Sequence, residues 1–164
     1  MRTALLACSA VGCCCAALAS QPAQATADRG RLDRGERKVV RIVNRMRARH
    51  GLRRLRASRS LSRAATAHSR DMLRRDYLGH ASSDGTPMGR RVRRYTGARW
   101  VGECVAALSG RGTSRLVVRL WMESPPHRAI LLSPSARRLG VGRSRGRLGS
   151  ARRTVFTADL ASRR

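Results

Sequence analysis

Two kinds of periodicity divide this chain, and their order limits what it can fold into. In the N-terminal half, apolar residues recur at helical spacing. Val39, Val40, Ile42, Val43 and Met46 share one broad face of a helix expected over residues 36–49, which Gly51 ends. Leu61, Ala65, His68 and Met72, spaced by four, three and four, form the buried stripe of a second helix expected over 61–75, with Ser58 or Ser60 as its N-cap. The C-terminal end reads as β: a strand over 138–143, a Gly/Ser/Arg loop, and a returning strand over 154–160. Helices followed by a terminal hairpin give an α+β fold and exclude alternating βαβ units.

Between these regions lie three polar clusters: His80-Ala81-Ser82-Ser83-Asp84-Gly85, then Gly102-Glu103, then Trp121-Met122-Glu123-Ser124-Pro125-Pro126-His127-Arg128. Gly140-Val141-Gly142 follows at a distance. Gly85-Thr86-Pro87 opens a short helix, with Thr86 as cap and Pro87 in the first helical position. That helix carries Met88, Val92 and Tyr95 inward and stops at Gly97. Residues 99–108 read as irregular and partly helical. Thr113 or Ser114 caps a helix through Trp121, Pro125-Pro126 breaks it, and residues 127–132 add one or two turns. Small, polar, turn-forming residues build loops, and loops on a rigid scaffold concentrate binding and catalytic groups.

Composition narrows the setting. Arg2, a run of small and apolar residues and Ala23-Gln24-Ala25 read as a signal peptide over residues 1–25. The run is too short and weakly apolar for a membrane span, so the chain is not expected to be transmembrane. A flexible leader is expected over 26–35 and one folded domain over 36–162, a length that supports a single core. Of the five cysteines, Cys8, Cys13, Cys14 and Cys15 fall in the signal, so Cys104 is left without an internal disulfide partner. Ala10-Val11-Gly12-Cys13 loosely resembles a lipoprotein box, which makes anchoring at Cys13 the alternative to free secretion.

The formal net charge is +27, and all but one of the 36 basic residues are Arg. Such a surface attracts anionic cell-envelope polymers or lipid headgroups. A solvated cationic surface without a defined ligand is the plainer reading. Aromatics make up only 3% of the chain, and none interleave with the Arg residues to stack bases. No specific nucleic-acid partner is therefore expected.

His80, Glu103 and His127 are the chemical candidates. Two imidazoles and a carboxylate suit a divalent metal such as zinc with an open position, or a proton-shuttling cluster. For His80 and His127 the competing explanation is capping of helix ends. His68 reads as a hydrogen-bonded core residue, and His50 as a helix C-terminal imidazole. Gly142-Arg143-Ser144-Arg145-Gly146 fits the G-x-S-x-G hydrolase pattern but falls in the expected hairpin loop with no helix after it, so it carries no nucleophile.

The order of these pieces resembles the CAP superfamily (cysteine-rich secretory, antigen 5 and pathogenesis-related-1 proteins), in its bacterial secreted, SCP-like form. The resemblance rests on Val43-Asn44 with Arg47, Gly51-Leu52, Leu61, Ala65, His68 and Asp71-Met72. It continues through Tyr77-Leu78-Gly79-His80 into Ser83-Asp84-Gly85, Gly102-Glu103, Trp121 with Ser124-Pro125-Pro126-His127-Arg128, and Leu139-Gly140-Val141-Gly142. It implies an α-β-α sandwich with a small, mainly antiparallel sheet between helical layers, and a cleft over one end holding two His and two Glu. His80, Glu103 and His127 match three of these four. Ser124 stands where the second Glu would be, and Glu123, one residue away, points about 100° aside on a helix. The resemblance thus implies a ligand-binding cleft of His80, Glu103, Ser124 and His127, with metal possible at His80 and His127. The expected function is a non-enzymatic, monomeric, extracellular binding module for a small ligand, lipid-like or metal. The alternative is a metal-assisted hydrolase or protease using His80, Glu103 and His127.

Overall fold

The computed structural model describes residues 32–163. The expected signal peptide, most of the leader and the four signal cysteines lie outside the described residues. Helix α1 (Arg34–Arg49) starts two residues before the expected position, inside the expected leader. The cause is a capping box at Asp33: its carboxylate accepts from the Glu36 N–H (2.7 Å), and the Glu36 carboxylate accepts from the Asp33 N–H (2.8 Å). A two-residue strand, β1 (Arg56–Ala57), leads into α2 (Arg59–Arg74), capped by Ser58. Then come α3 (Met88–Arg93), β2 (Val101–Ser109), α4 (Ser114–Glu123) capped by Thr113, α5 (Pro125–Leu131), and the hairpin strands β3 (Arg138–Leu148) and β4 (Ala151–Ala161).

The strands form one sheet in the order β1-β3-β4-β2, with β1 parallel to β3 and the other pairs antiparallel. Helices cover both faces, as expected of the α-β-α sandwich. The larger core lies on the face of α1, α4 and α5, where Val39, Val43, Val117 and Trp121 meet Leu139, Val141, Phe156 and Leu160. On the other face α2 lies directly against β3. A Cβ on Gly140 would fall 2.2 Å from the Ser62 nitrogen, and one on Gly142 2.2 Å from the Thr66 nitrogen, so only glycine fits there. The Gly-Val-Gly cluster is therefore a packing device and holds no site. The contact is reinforced by Ser62 Oγ accepting from the Val141 N–H (3.1 Å) and by a Ser69–Thr157 hydroxyl bond (2.9 Å).

Four expectations are corrected. Residues 101–109 are a strand, not irregular. Both faces of β2 are covered, so its apolar residues run on instead of alternating and show no period of two. Helix α3 begins after Pro87, which is extended (ψ 146°), and Thr86 does not cap it. Thr86 belongs to the preceding loop, where its carbonyl accepts from the Ser82 N–H (3.0 Å) and its N–H donates to Asp84 (2.8 Å). Tyr95 does not point inward but is 37% exposed. The hairpin strands are longer than expected, leaving only Gly149 and Ser150 between them, and the G-x-S-x-G stretch lies within β3. Arg, Gly and Ser fill this extension, so it has no apolar alternation to announce it.

Candidate functional site

Glu103 is the centre of the site. It sits on β2 directly across from Asp159 on β4, facing the α2 layer, and its side chain is fully buried. Burying a carboxylate is costly unless it is paired and hydrogen-bonded. Arg91 of α3 supplies the charge, pairing through Nη2 with Glu103 Oε2. His80 Nδ1 donates to Glu103 Oε1 (2.9 Å), and His68 Nε2 lies 3.9 Å from Oε2.

The loop that carries His80 is pinned from several directions. His68 Nε2 donates to the Gly79 carbonyl (2.9 Å), and Arg91 Nη1 to the His80 carbonyl (2.7 Å). Asp71, near the end of α2, accepts from the Tyr77 hydroxyl (2.6 Å), the Ser83 N–H (2.9 Å) and the Ser83 hydroxyl (2.8 Å). Burial alone would raise the Asp71 pKa, but these bonds hold it below the usual value.

His127 arrives from the other layer. Trp121 is buried and donates its indole N–H to the Val105 carbonyl (3.2 Å), which fixes α4 against β2. Ser124 then ends α4 and opens α5. Helix α5 lies close over β2 because Gly102 has no side chain: a Cβ there would meet Ile130 at 2.9 Å and Trp100 at 3.1 Å. This brings the His127 ring to 6.4 Å from the His80 ring, centroid to centroid, at an angle of 48°. His127 Nδ1 shares a hydrogen bond with Ser124 Oγ (2.9 Å). Each imidazole is thus anchored through Nδ1, one by Glu103 and one by Ser124. Among the described residues, neither Nε2 has a hydrogen-bond partner.

The two rings are electrostatically unlike. The hydrogen bond to Glu103 raises the His80 pKa above the ordinary value, whereas burial and then the neighbouring His80 lower that of His127. Burial also lowers His68, against the pull of Glu103. The pKa of Asp159, which lies beneath the site, is pushed well up, first by complete burial and then by the charge on Glu103.

The four residues named from the sequence therefore come together. Glu123 does not join them; it is exposed and pairs with Arg119 at 3.8 Å. His68 is the core histidine expected, though it also touches Glu103. His50 caps the C-terminal end of α1. Cys104 faces the opposite side of β2, fully buried, with its thiol 3.7 Å from the His127 carbonyl. Burial raises its pKa, which disfavours a thiolate at Cys104. Two participants escaped sequence reasoning. Arg91 is one Arg among many, with nothing in its spacing to mark it. Asp159 left a signal, as an acid inside the apolar stretch Val155-Phe156-Thr157-Ala158-Asp159-Leu160.

A three-ligand zinc centre does not fit this arrangement. Both Glu103 oxygens are engaged by Arg91 and His80, and among the described residues no three His, Cys, Asp or Glu side chains are grouped to hold an ion.

The sequence model of the cysteine-rich secretory protein family (CAP) matches residues 40–160. The chain belongs to this family. A relative in Bacillus subtilis, the uncharacterized protein YkwD, is 35% identical over 108 residues, covering 65% of this chain and 41% of its own length. The chain thus spans less than half of that relative. An extracellular SCP-domain protein of Bacillus anthracis superposes with a TM-score of 0.67 at 25% identity, over 79% of this chain and 40% of that one. An outer surface protein of Borrelia burgdorferi gives a TM-score of 0.66 at 17% identity, over 82% of this chain and 99% of its own. Despite the family's name, Cys104 is a free cysteine here. No helix among the described residues is long and apolar enough to cross a membrane.

Proposed function

We propose that this CAP protein is a secreted, non-enzymatic binding module. Its His80–Glu103–Ser124–His127 cleft receives a small ligand, lipid-like or metal, and its Arg-rich surface docks on anionic envelope material. One observation carries the cleft half: two imidazoles 6.4 Å apart, each held through Nδ1, with both Nε2 atoms left for a ligand. Half-buried Trp100 and Ile130 beside Gly102 give the adjoining wall an apolar character suited to a lipid-like group. An extracellular setting is supported by the extracellular and outer-surface relatives of the same fold.

A second reading, a hydrolase, is favoured by the Glu103–His80 pair. A buried carboxylate that orients an imidazole is a general-base arrangement. Among the described residues it lacks an activated cysteine, because burial raises the pKa of the Cys104 thiol.

The test uses the mature chain, titrated with zinc alone and with a fluorescent fatty acid. Binding that is lost in the folded His80→Ala/His127→Ala variant supports the cleft. Binding of either probe left unchanged by that variant removes the cleft as its site. Hydrolysis of ester or peptide substrates that disappears in His80→Ala alone would put the hydrolase in its place.

A further inference from the structure

Beyond β1, strand β3 has β4 on one side only, because β1 pairs with Arg138 and Leu139 alone. Alternate N–H groups of such an edge point away from the sheet. Along this edge runs an open groove of about 400 Å³ lined by Arg70, Leu73 and Arg74 of α2 and Arg143, Ser144 and Arg145 of β3. No acidic side chain lines it. Asp33 holds Arg143 from beside it (2.7 Å), and Asp71 lies 3.9 Å from Arg74.

The charges flank this edge from both faces of the sheet: Arg70 and Arg74 rise from α2 on one face, and the side chains of Arg143, Arg145 and Arg147 project to the other, where Arg143 meets Asp33. Arg70 and Arg74 stand one helical turn apart, about 6 Å along the axis. Arg143, Arg145 and Arg147 occupy alternate positions of β3, about 7 Å apart. The β3 row reaches the hairpin tip, where Arg147 lies directly opposite Arg152 on β4. Like charges at i, i+4 on a helix, or directly across a strand pair, repel. A multivalent anion lying along the edge, within reach of arginines from both faces, would relieve that repulsion.

We propose that this groove binds an extended phosphodiester polymer, one phosphate to each successive guanidinium, with the outward N–H groups of β3 as further donors. The inference rests on the docking half of the proposed function and gives it an address and a partner class. A narrow strand edge flanked by arginines on both faces suits a single chain. A bilayer is disfavoured because the large exposed apolar residues among those described, Leu78, Tyr95 and Leu120, are not among the groove's lining residues.

The probe is a synthetic glycerol-phosphate oligomer titrated into the mature chain at several salt concentrations. About four phosphate contacts give a log–log salt slope near −3, or roughly a fifty-fold loss of affinity between about 50 and 200 mM. The groove variant is Arg70→Gln/Arg74→Gln/Arg145→Gln/Arg147→Gln. The control, Arg41→Gln/Arg45→Gln/Arg49→Gln/Arg54→Gln, removes the same charge from exposed positions elsewhere. The groove variant should lose at least about tenfold in affinity and most of its salt slope, and the control about threefold or less. Equal losses in both overturn the groove while leaving general Arg docking in place. Binding to anionic phospholipid vesicles but not to the oligomer overturns the polymer in favour of a membrane. Binding of neither probe removes both the groove and the docking reading. A groove variant that aggregates while a parent without oligomer affinity does not would make these arginines edge guards only.

Discussion

Glu103→Gln is the sharpest perturbation of the site. The carboxylate is fully buried, and it accepts from His80 on one oxygen and from Arg91 on the other. A glutamine has a single carbonyl oxygen, so one donor would face an amide NH2 and lose its acceptor. A buried donor left unsatisfied costs about 1–3 kcal/mol, and breaking a buried ion pair about 3–5 kcal/mol. Asp159 offsets part of this: without the charge on Glu103 its pKa falls, and it can ionise as a substitute counter-ion for Arg91. The His80 share adds little, because that side chain is 55% exposed. The expected net loss is about 2–4 kcal/mol in urea unfolding, with the His80 pKa falling in an NMR titration. The sign with pH follows from the raised His80 pKa. Its pairing with Glu103 stabilises fully below the unfolded value of about 6.5 and is lost as pH rises through the folded pKa. Glu103→Gln should therefore cost more at acid than at alkaline pH. A variant within about 0.5 kcal/mol of the parent, with His80 titrating unchanged, would refute the account.

Asp159→Asn tests the raised carboxyl pKa. A raised carboxyl pKa means that the folded state holds a proton the unfolded state has released, so this group's contribution declines as pH rises from about 4 toward the folded pKa. The variant should match the parent near pH 4 and become progressively more stable than it as pH rises toward the folded pKa. A difference in urea midpoint that stays constant with pH would contradict this. Gly142→Ala forces a Cβ into the backbone of α2 and should destabilise by about 3 kcal/mol or more. Gly146→Ala, whose nearest neighbour is a Leu73 side-chain carbon at 3.3 Å, should cost less than about 1 kcal/mol; equal thermal shifts would sink the contrast. Arg47 is buried and donates to the carbonyls of Arg53 (2.9 Å), Leu131 (2.7 Å) and Ser133 (3.0 Å). Arg47→Met should cost about 3 kcal/mol in urea unfolding, and Arg47→Lys should not rescue it, because one ammonium cannot reproduce the planar fork.

Helices α1 and α2 were legible because each buries one face against the sheet and exposes the other, which prints a clean period on the sequence. Ser58 caps α2 as expected, whereas the α1 cap shows how such signals fail: Asp33 and Glu36 spell out a capping box inside a stretch that composition alone marks as a leader. Strand β2 was hidden because it is covered on both faces and includes Gly102 and two alanines. The site was legible where its residues are scarce, as with two of four histidines, and hidden where they are common. Arg91 looks like every other Arg, although it neutralises the central carboxylate. The hairpin was legible, but the outer half of β3 was not, because it alternates Arg with Gly and Ser and offers only Leu148 to the small cluster of Met72, Val105 and Val155.

Glu103 and the His80 loop belong to the α2–α3 side of the sheet, whereas Ser124 and His127 hang from the α4–α5 side. The proposed cleft therefore straddles the rim of β2 between two layers that pack largely apart. A ligand held by both Nε2 atoms would act as a clasp across the sandwich, joining its halves at a point where the chain itself makes no covalent link. Amide exchange along β2 and α5 should then slow on binding, so occupancy could be read from the backbone even where the ligand has no spectroscopic signal of its own.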